Sequence, residues 1–301
     1  MSETAWALIV NPSKFDDLIA LNNEVTTACA ENGWPNPIWY ETTAEDPGTG
    51  QTREALAAGA RLVCPLGGDG TVRAVATALL DTDIPLGLLP AGTGNLLARN
   101  LGLPLDDLPA ALAVALTGRD ADVDAGMVSF DEGEPELFLV MAGMGLDAEA
   151  VAGASVELKR RFGWVAYALS GLKSLVRSGF SVRVSAGGQR AFSQHATTVM
   201  IGNCGELTAG VQLMPDARVD DGLLDVAVVS PRSLGSWLAV GAYILTRHRV
   251  GHSAIAHLRG PKVTIVAAEP IDAQLDGDAV GRVTDITCSV RPGALTVRVP
   301  A

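Results

Sequence analysis

This sequence lacks the marks of export, of membrane insertion and of a disulfide framework. Its first residues, Met1-Ser2-Glu3-Thr4-Ala5-Trp6, hold no basic stretch followed by an apolar run, so no signal peptide is expected. No apolar run reaches the roughly 20 residues that a spanning helix needs, and 234–245 comes nearest. Cys29, Cys64, Cys204 and Cys288 lie far apart without a C-x-x-C pair. That spacing argues against a zinc site or disulfide scaffold and suits a reducing cytosol. Repeats, low-complexity tracts and long linkers are absent as well. Basic charge is scarce: the net charge is −12, which disfavours nonspecific nucleic-acid binding.

The scarcity is uneven. Between residues 151 and 190 stand Lys159, Arg160, Arg161, Lys173, Arg177, Arg183 and Arg190 against Glu157 alone. A basic segment in an acidic chain reads either as a solvated helix face or as a surface for an anionic membrane. At 301 residues, with 48% apolar and 19% charged residues, the chain is globular and long enough for two domains.

What is present is a pair of glycine turns. An apolar run, 61–66, leads into Gly67-Gly68-Asp69-Gly70-Thr71, and a helical pattern, 71–80, follows. Glycines between a strand and a helix let a ligand approach the backbone, and the helix start offers free N–H groups to phosphate. Asp69 beside an anion makes sense if a cation such as Mg²⁺ lies between them. The competing reading is a plain strand-to-helix turn capped by aspartate. A second apolar run, 86–90, then meets Ala91-Gly92-Thr93-Gly94-Asn95 before another short helix, 96–101. In a parallel sheet both turns fall at the carboxyl ends of neighbouring strands, where open α/β sheets bind ligands. Neither turn is a Walker loop, since no Gly-Lys-Ser/Thr follows, and neither matches Gly-x-Gly-x-x-Gly.

Gly67-Gly68-Asp69-Gly70-Thr71, followed by Pro90-x-Gly92-Thr93-x-Asn95-x-x-Ala98-Arg99, resembles the catalytic domain of the diacylglycerol kinase family. The resemblance is to its soluble bacterial lipid kinase branch, which is similar to sphingosine kinases and related to NAD kinases. It implies that Asn11, Pro12, Ser13, Lys14, Thr42, Gly67, Gly68, Asp69, Gly70, Thr71, Gly92, Thr93 and Asn95 meet a nucleotide. Thr43 stands close behind Thr42. It also implies that Asp124 lies in a cleft between domains. Pro215-Asp216-Ala217-Arg218-Val219-Asp220-Asp221-Gly222-Leu223 resembles a family loop that holds a structural Mg²⁺, through Asp221 and the carbonyls of Arg218 and Leu223. Gly143-Met144-Gly145-Leu146-Asp147-Ala148 is similar to a further family turn. Leu275-Asp276-Gly277-Asp278 stands where the family has Leu-Asp-Gly-Glu, whose last acid accepts the proton, so Asp278 is the expected base and Asp276 its competitor. On the residues alone, both Asp-Gly segments also read as hairpin turns. The chain departs from the family in a shortened Asn-Pro loop, in Leu96 and in Asp278.

The rest of the pattern frames these motifs. Strands are expected at 6–10 and 37–40, helices at 15–32, 52–58 and 106–117, and a short strand end at 121–126. Such alternation marks a parallel sheet between helices. After Gly126, apolar or alternating runs at 137–142, 180–184, 197–201, 223–229, 262–267, 271–275 and 295–299 suggest a β-sandwich-like domain. Helical insertions are expected at 165–177 and 234–249.

The expected fold is thus an α/β domain over 1–125 resembling NAD and diacylglycerol kinases. A β-rich lipid-acceptor domain spans 126–291, and a C-terminal strand at about 292–301 returns to the first. The expected activity is ATP- and Mg²⁺-dependent phosphorylation of a lipid hydroxyl, with Asp278, Asp69 and Asp124 as catalytic carboxylates. The expected partner is a lipid met peripherally at the inner face of a membrane by a cytoplasmic enzyme, with a homodimer admissible and nucleic acid excluded. A NAD kinase-like enzyme and a non-catalytic nucleotide- or lipid-binding module are the rivals.

Overall fold

A computed structural model describes residues 5–145, 179–206, 214–231 and 254–301, together with Ser233, Ser236 and Val240. It divides into two compact units: Met1–Ala125 with Pro292–Ala301, and Gly126–Arg291.

The first unit is built on a parallel sheet of order β2-β1-β3-β4, from β1 (Ala7–Val10), β2 (Ile38–Glu41), β3 (Val63–Gly67) and β4 (Leu89–Pro90). β1 is buried throughout. Its alternate residues point to opposite faces of the sheet. Leu8 and Val10 share a core with Leu21, Val25 and Cys29 of α1 (Leu18–Asn32) and with Leu112 of α5 (Leu108–Thr117). Helices α2 (Thr49–Ala57) and α3 (Asp69–Leu79) pack on each other. Local chemistry sets the ends of the helices. The Asp17 carboxylate accepts the N–H groups of Ile19 and Ala20 to start α1, and Gly33 ends it at φ 67°. Asp107 caps α5 through the Ala110 N–H.

The expected strand at 86–90 is shorter than its apolar run. Only Leu89–Pro90 forms β4, while Leu86 stands alone, bridging Val63 on one side and Val297 on the other. The C-terminal segment thereby joins this sheet: Leu86 N–H donates to Thr296 O, and Arg298 N–H donates to Leu86 O. The expected strand end at 121–126 is the middle of a strand of 12 residues, β5 (Arg119–Phe130).

The second unit is antiparallel. β6 (Glu136–Phe138), β7 (Met141–Met144), β8 (Phe180–Ala186), β9 (Phe192–Ala196), β10 (Thr198–Gly202), β11 (Leu224–Val229), β12 (Ile255–Gly260), β13 (Lys262–Leu275) and β14 (Asp278–Val299) complete a sheet of order β12-β11-β10-β7-β13-β14-β5-β6. The sheet branches at β13, whose first half pairs with β8 and whose end pairs with β7. Branching lets two layers close over one core, in which Val199, Val226, Val263, Ile265 and Ile286 are buried. The runs 262–267 and 271–275 are one strand rather than two, bent where the register shifts between Val266 and Ile271. Pro270 falls in that gap and has no N–H for a ladder. The run 137–142 is instead divided between two strands, β6 and β7. The helices expected at 165–177 lie outside the described residues, as do those at 234–249 apart from Ser236 and Val240. Leu146-Asp147-Ala148 lies outside them too.

Candidate active site

Because β1 to β4 are parallel, the segments that leave their carboxyl ends share one rim. That rim holds Asn11 after β1, Thr42 after β2, Gly68 after β3 and Ala91 after β4. The two glycine turns are packed backbone against backbone. A methyl group on Gly92 would lie 2.7 Å from the Cα of Gly68, and one on Gly67 would lie 2.7 Å from the Thr71 hydroxyl. Glycine is required here because another chain segment occupies the space of a side chain.

Asp69 is the brace. One of its oxygens accepts the Leu96 N–H at 2.7 Å, and the other accepts the Asn95 N–H at 3.0 Å. The carboxylate of the first turn thus holds the start of α4 (Leu96–Asn100), directly after the second. Asn95 sits at φ 47° and closes its own turn, with its side chain accepting from Gly92 N and donating to Gly92 O. Asn11 joins the group from the other side, donating from Nδ2 to the Thr71 hydroxyl at 3.4 Å while its Oδ1 holds the N–H and hydroxyl of Ser13. Pro12–Lys14 form a 3-10 turn. The Lys14 Cε lies 3.8 Å from where a Gly68 side chain would begin, so an exposed ammonium stem flanks the open face of the first turn.

This rim suits phosphate. No side chain caps the start of α3, leaving its first N–H groups for an anion, and the dipole end there is positive. Lys14 adds a mobile cation. Thr93 is exposed and Gly70 half-buried at the same rim. Thr42 is buried at 5% exposure, its N–H bound to Val10 O, whereas Thr43 is exposed. Of the two threonines, Thr43 is the one a ligand can reach. No three His, Cys, Asp or Glu side chains converge to hold a metal among the described residues. A divalent ion at this rim fits as one carried by a bound triphosphate, which is how Mg²⁺ is commonly held.

The remaining carboxylates take different places. Asp124 is buried at 2% exposure and accepts the Gly293 N–H at 2.8 Å, fastening the C-terminal segment to β5 within the first unit. In the second unit, Leu275 and Asp278 flank a two-residue hairpin with Asp276 at φ 49° and Gly277 at φ 94°, the positive angles of a type I′ turn. Its two acids part company there. Asp276 turns inward, and its carboxylate accepts the N–H groups of Leu139, Val140 and Met141 at 2.9–3.0 Å. Those N–H groups, already bound, cannot join a ladder, so the run is broken into β6 and β7. Asp278 stays exposed at the start of β14. Asp276 is therefore engaged in holding the hairpin, and Asp278 is the acid of this turn that a substrate can meet.

The loop expected to hold a structural Mg²⁺ is organised otherwise. The Asp221 carboxylate accepts the Leu223 N–H with Oδ1 and the Arg259 guanidinium with Oδ2, while the Arg218 side chain pairs with Asp220. Arg259 is the residue that the sequence motifs do not reveal. Its signal is the cross-strand register, which places it opposite Asp225.

Comparison with known proteins also divides the chain in two, although the second match includes the segment 292–299 that the structure places in the first unit. Residues 5–128 match the diacylglycerol kinase catalytic domain, and residues 140–299 match the YegS C-terminal NAD kinase beta sandwich-like domain. A protein of Pseudomonas aeruginosa PAO1 named probable lipid kinase YegS-like is 37% identical, covering 82% of this chain and 80% of its own length. A protein of the same name from Pseudomonas fluorescens Pf-5 is 33% identical over 100% of this chain and 97% of its own. Among solved structures, a diacylglycerol kinase from Bacillus anthracis superposes with a TM-score of 0.78 at 24% identity, covering 99% of this chain and 98% of that one. A NAD kinase from Archaeoglobus fulgidus in complex with ATP reaches 0.51 at 12% identity, over 97% and 93%. At these identities the structures speak for the fold alone.

Proposed function

This chain belongs to the diacylglycerol kinase-type, YegS-like family of lipid kinases, and from that premise we propose that it transfers the γ-phosphate of ATP to the hydroxyl of a lipid such as diacylglycerol. The observation that carries the reading is the braced pair of glycine turns, Gly67–Thr71 and Gly92–Asn95, joined by Asp69. Phosphoryl transfer needs positioning and electrostatic stabilisation more than covalent chemistry. The N–H groups at the start of α3 and the Lys14 ammonium bind phosphate oxygens. Asn95 and Asp69 keep the two turns at fixed spacing, and Asn11 ties the first strand to α3. When bound with the nucleotide, Mg²⁺ supplies charge screening to the phosphates. Asp278 takes the proton from the lipid hydroxyl as that oxygen forms its bond to the γ-phosphorus and the bond to the leaving nucleoside diphosphate breaks. The lipid is met at a membrane surface. No helix among the described residues is long and apolar enough to cross a membrane.

The test is transfer of labelled γ-phosphate, with Mg²⁺, to diacylglycerol, monoacylglycerol, ceramide, sphingosine and NAD. We expect label on one lipid, and a loss of about 10²–10⁴-fold in rate for Asp278→Asn, the range of general-base catalysis. Label on NAD alone, or ATP binding without any labelled acceptor, would overturn the proposal.

A further inference from the structure

The segment 215–225 in the second unit holds four aspartates, of which Asp220 pairs with Arg218 while Asp216, Asp221 and Asp225 turn to one point. Oxygen-rich loops of this kind suit a hard divalent cation, and the sequence resemblance places Mg²⁺ here. The donor set does not fit that ion. Asp221 Oδ1 already accepts the Leu223 N–H at 3.1 Å, and its Oδ2 accepts an N–H of Arg259. The same guanidinium donates from Nε to Asp225 Oδ2 at 3.1 Å and from its terminal nitrogen to the Asp216 carbonyl at 2.9 Å. Three oxygens from three residues thus converge on one cation that belongs to the chain itself.

The arrangement is delivered by the fold. Arg259 lies in β12 directly opposite Asp225 in β11, so strand register and not a flexible loop brings it there. The Asp225 side chain is 12% exposed and that of Asp221 20%, while Arg259, at 36%, reaches in from the edge. With two carboxylates largely withdrawn from water and a carbonyl turned to the same point, the cluster needs a positive charge. A planar guanidinium with five donors can meet several oxygens at once, as a single ammonium cannot.

We infer that the Arg259 guanidinium is the resident cation of this loop, standing in for a structural divalent metal, and that the loop folds without one. A dication placed among the same oxygens would face a like charge at close range. This inference is independent of the proposed lipid kinase activity and is tested without substrate.

The experiment measures thermal unfolding and metal content of the nucleotide-free full chain. After dialysis against EDTA and re-equilibration with Mg²⁺ or Ca²⁺, the wild-type protein should retain no stoichiometric metal sensitive to Asp221→Asn. Its melting temperature should be the same in EDTA and in millimolar cation, or show only a shift that survives Asp221→Asn and so arises elsewhere. Arg259→Met should melt roughly 5–10 °C lower, as expected when one partner of a half-buried ion cluster is removed. It should then regain stability with rising Mg²⁺ or Ca²⁺, as mass action requires for a newly opened site. Arg259→Lys should fall between the two. A wild-type melting temperature that drops in EDTA, recovers with Mg²⁺ and loses that response in Asp221→Asn would overturn the inference. So would an Arg259→Met protein indifferent to both cations. If Arg259→Met does not fold, the wild-type metal content and the response of Asp221→Asn still decide.

Discussion

Gly92 and Gly102 separate two reasons for a glycine. Gly102 has φ 69° with open space around it, so Gly102→Ala meets only the left-handed penalty of about 1–2 kcal/mol. A methyl group on Gly92 would lie 2.7 Å from the Cα of Gly68, backbone against backbone. Gly92→Ala should cost about 1–3 kcal/mol as an overpacking change. It should also force the two turns apart and lower kcat/KM for ATP by about 10²-fold, the scale of a misplacement near 1 Å. Denaturant melts of both variants with an ATP titration check this. Equal losses of stability with unchanged ATP binding in Gly92→Ala would show that the close approach has no functional weight. The glycine turns were legible in the sequence because two of them stand one after the other, each between an apolar run and a helical pattern. The work of Asp69 was not. Its partners, Asn95 and Leu96, lie 26 and 27 residues away, and no local pattern records a bond across that distance. Asp276 is a sharper case: its three N–H partners lie at least 135 residues upstream, so its sequence shows only a turn.

Among the elements, β14 shows how far periodicity carries. Its last residues read as a strand, but the whole runs for 22 residues from Asp278 to Val299. Its first five residues are exposed and its register with β13 shifts, so neither a clean alternation nor an apolar run betrays it. β9 and β12 escape the sequence pattern for a related reason: polar residues such as Gln194, His195, His257 and Arg259 interrupt their apolar alternation. The parallel half was legible because β1 and β3 are wholly buried and read as apolar runs. The end of β14 serves the first unit. Leu295, Val297 and Val299 are buried there, Thr296 and Arg298 pair with Leu86, and the Arg298 guanidinium donates to Gly118 O. Burial of three such side chains is worth roughly 5–9 kcal/mol, at about 1.5–3 each. That is comparable with the whole stability of a domain, about 5–15 kcal/mol. Removal of residues 292–301 should therefore abolish ATP binding and cooperative unfolding of the first unit, and Leu295→Ala alone should cost about 2–5 kcal/mol. A truncated chain that still bound ATP as the full chain does would refute the assignment of this segment to the nucleotide-binding fold.

At the scale of the molecule, the four cysteines provide a native probe of how the two cores depend on each other. Cys29 and Cys64 belong to the first core; Cys204 and Cys288 are buried in the second unit. All four are buried and none is in a disulfide. Burial pushes the thiols of Cys29, Cys64 and Cys288 above the ordinary cysteine value, so the reactive thiolate is suppressed as well as hidden. In native buffer a disulfide reagent should therefore label none of them on the timescale of minutes, and in denaturant it should label all four. The order of release carries the information. β5 and β14 each contribute residues to both units, since the boundary falls inside them at residues 125/126 and 291/292. Both strands belong to the larger sheet, so the parts of them that lie in the first unit continue a ladder of the second. Labelling across a denaturant series should accordingly show the pairs Cys29/Cys64 and Cys204/Cys288 becoming reactive in one transition. Release of one pair at a clearly lower denaturant concentration would show instead that each core holds without the other, and that the shared strands connect the units without coupling them.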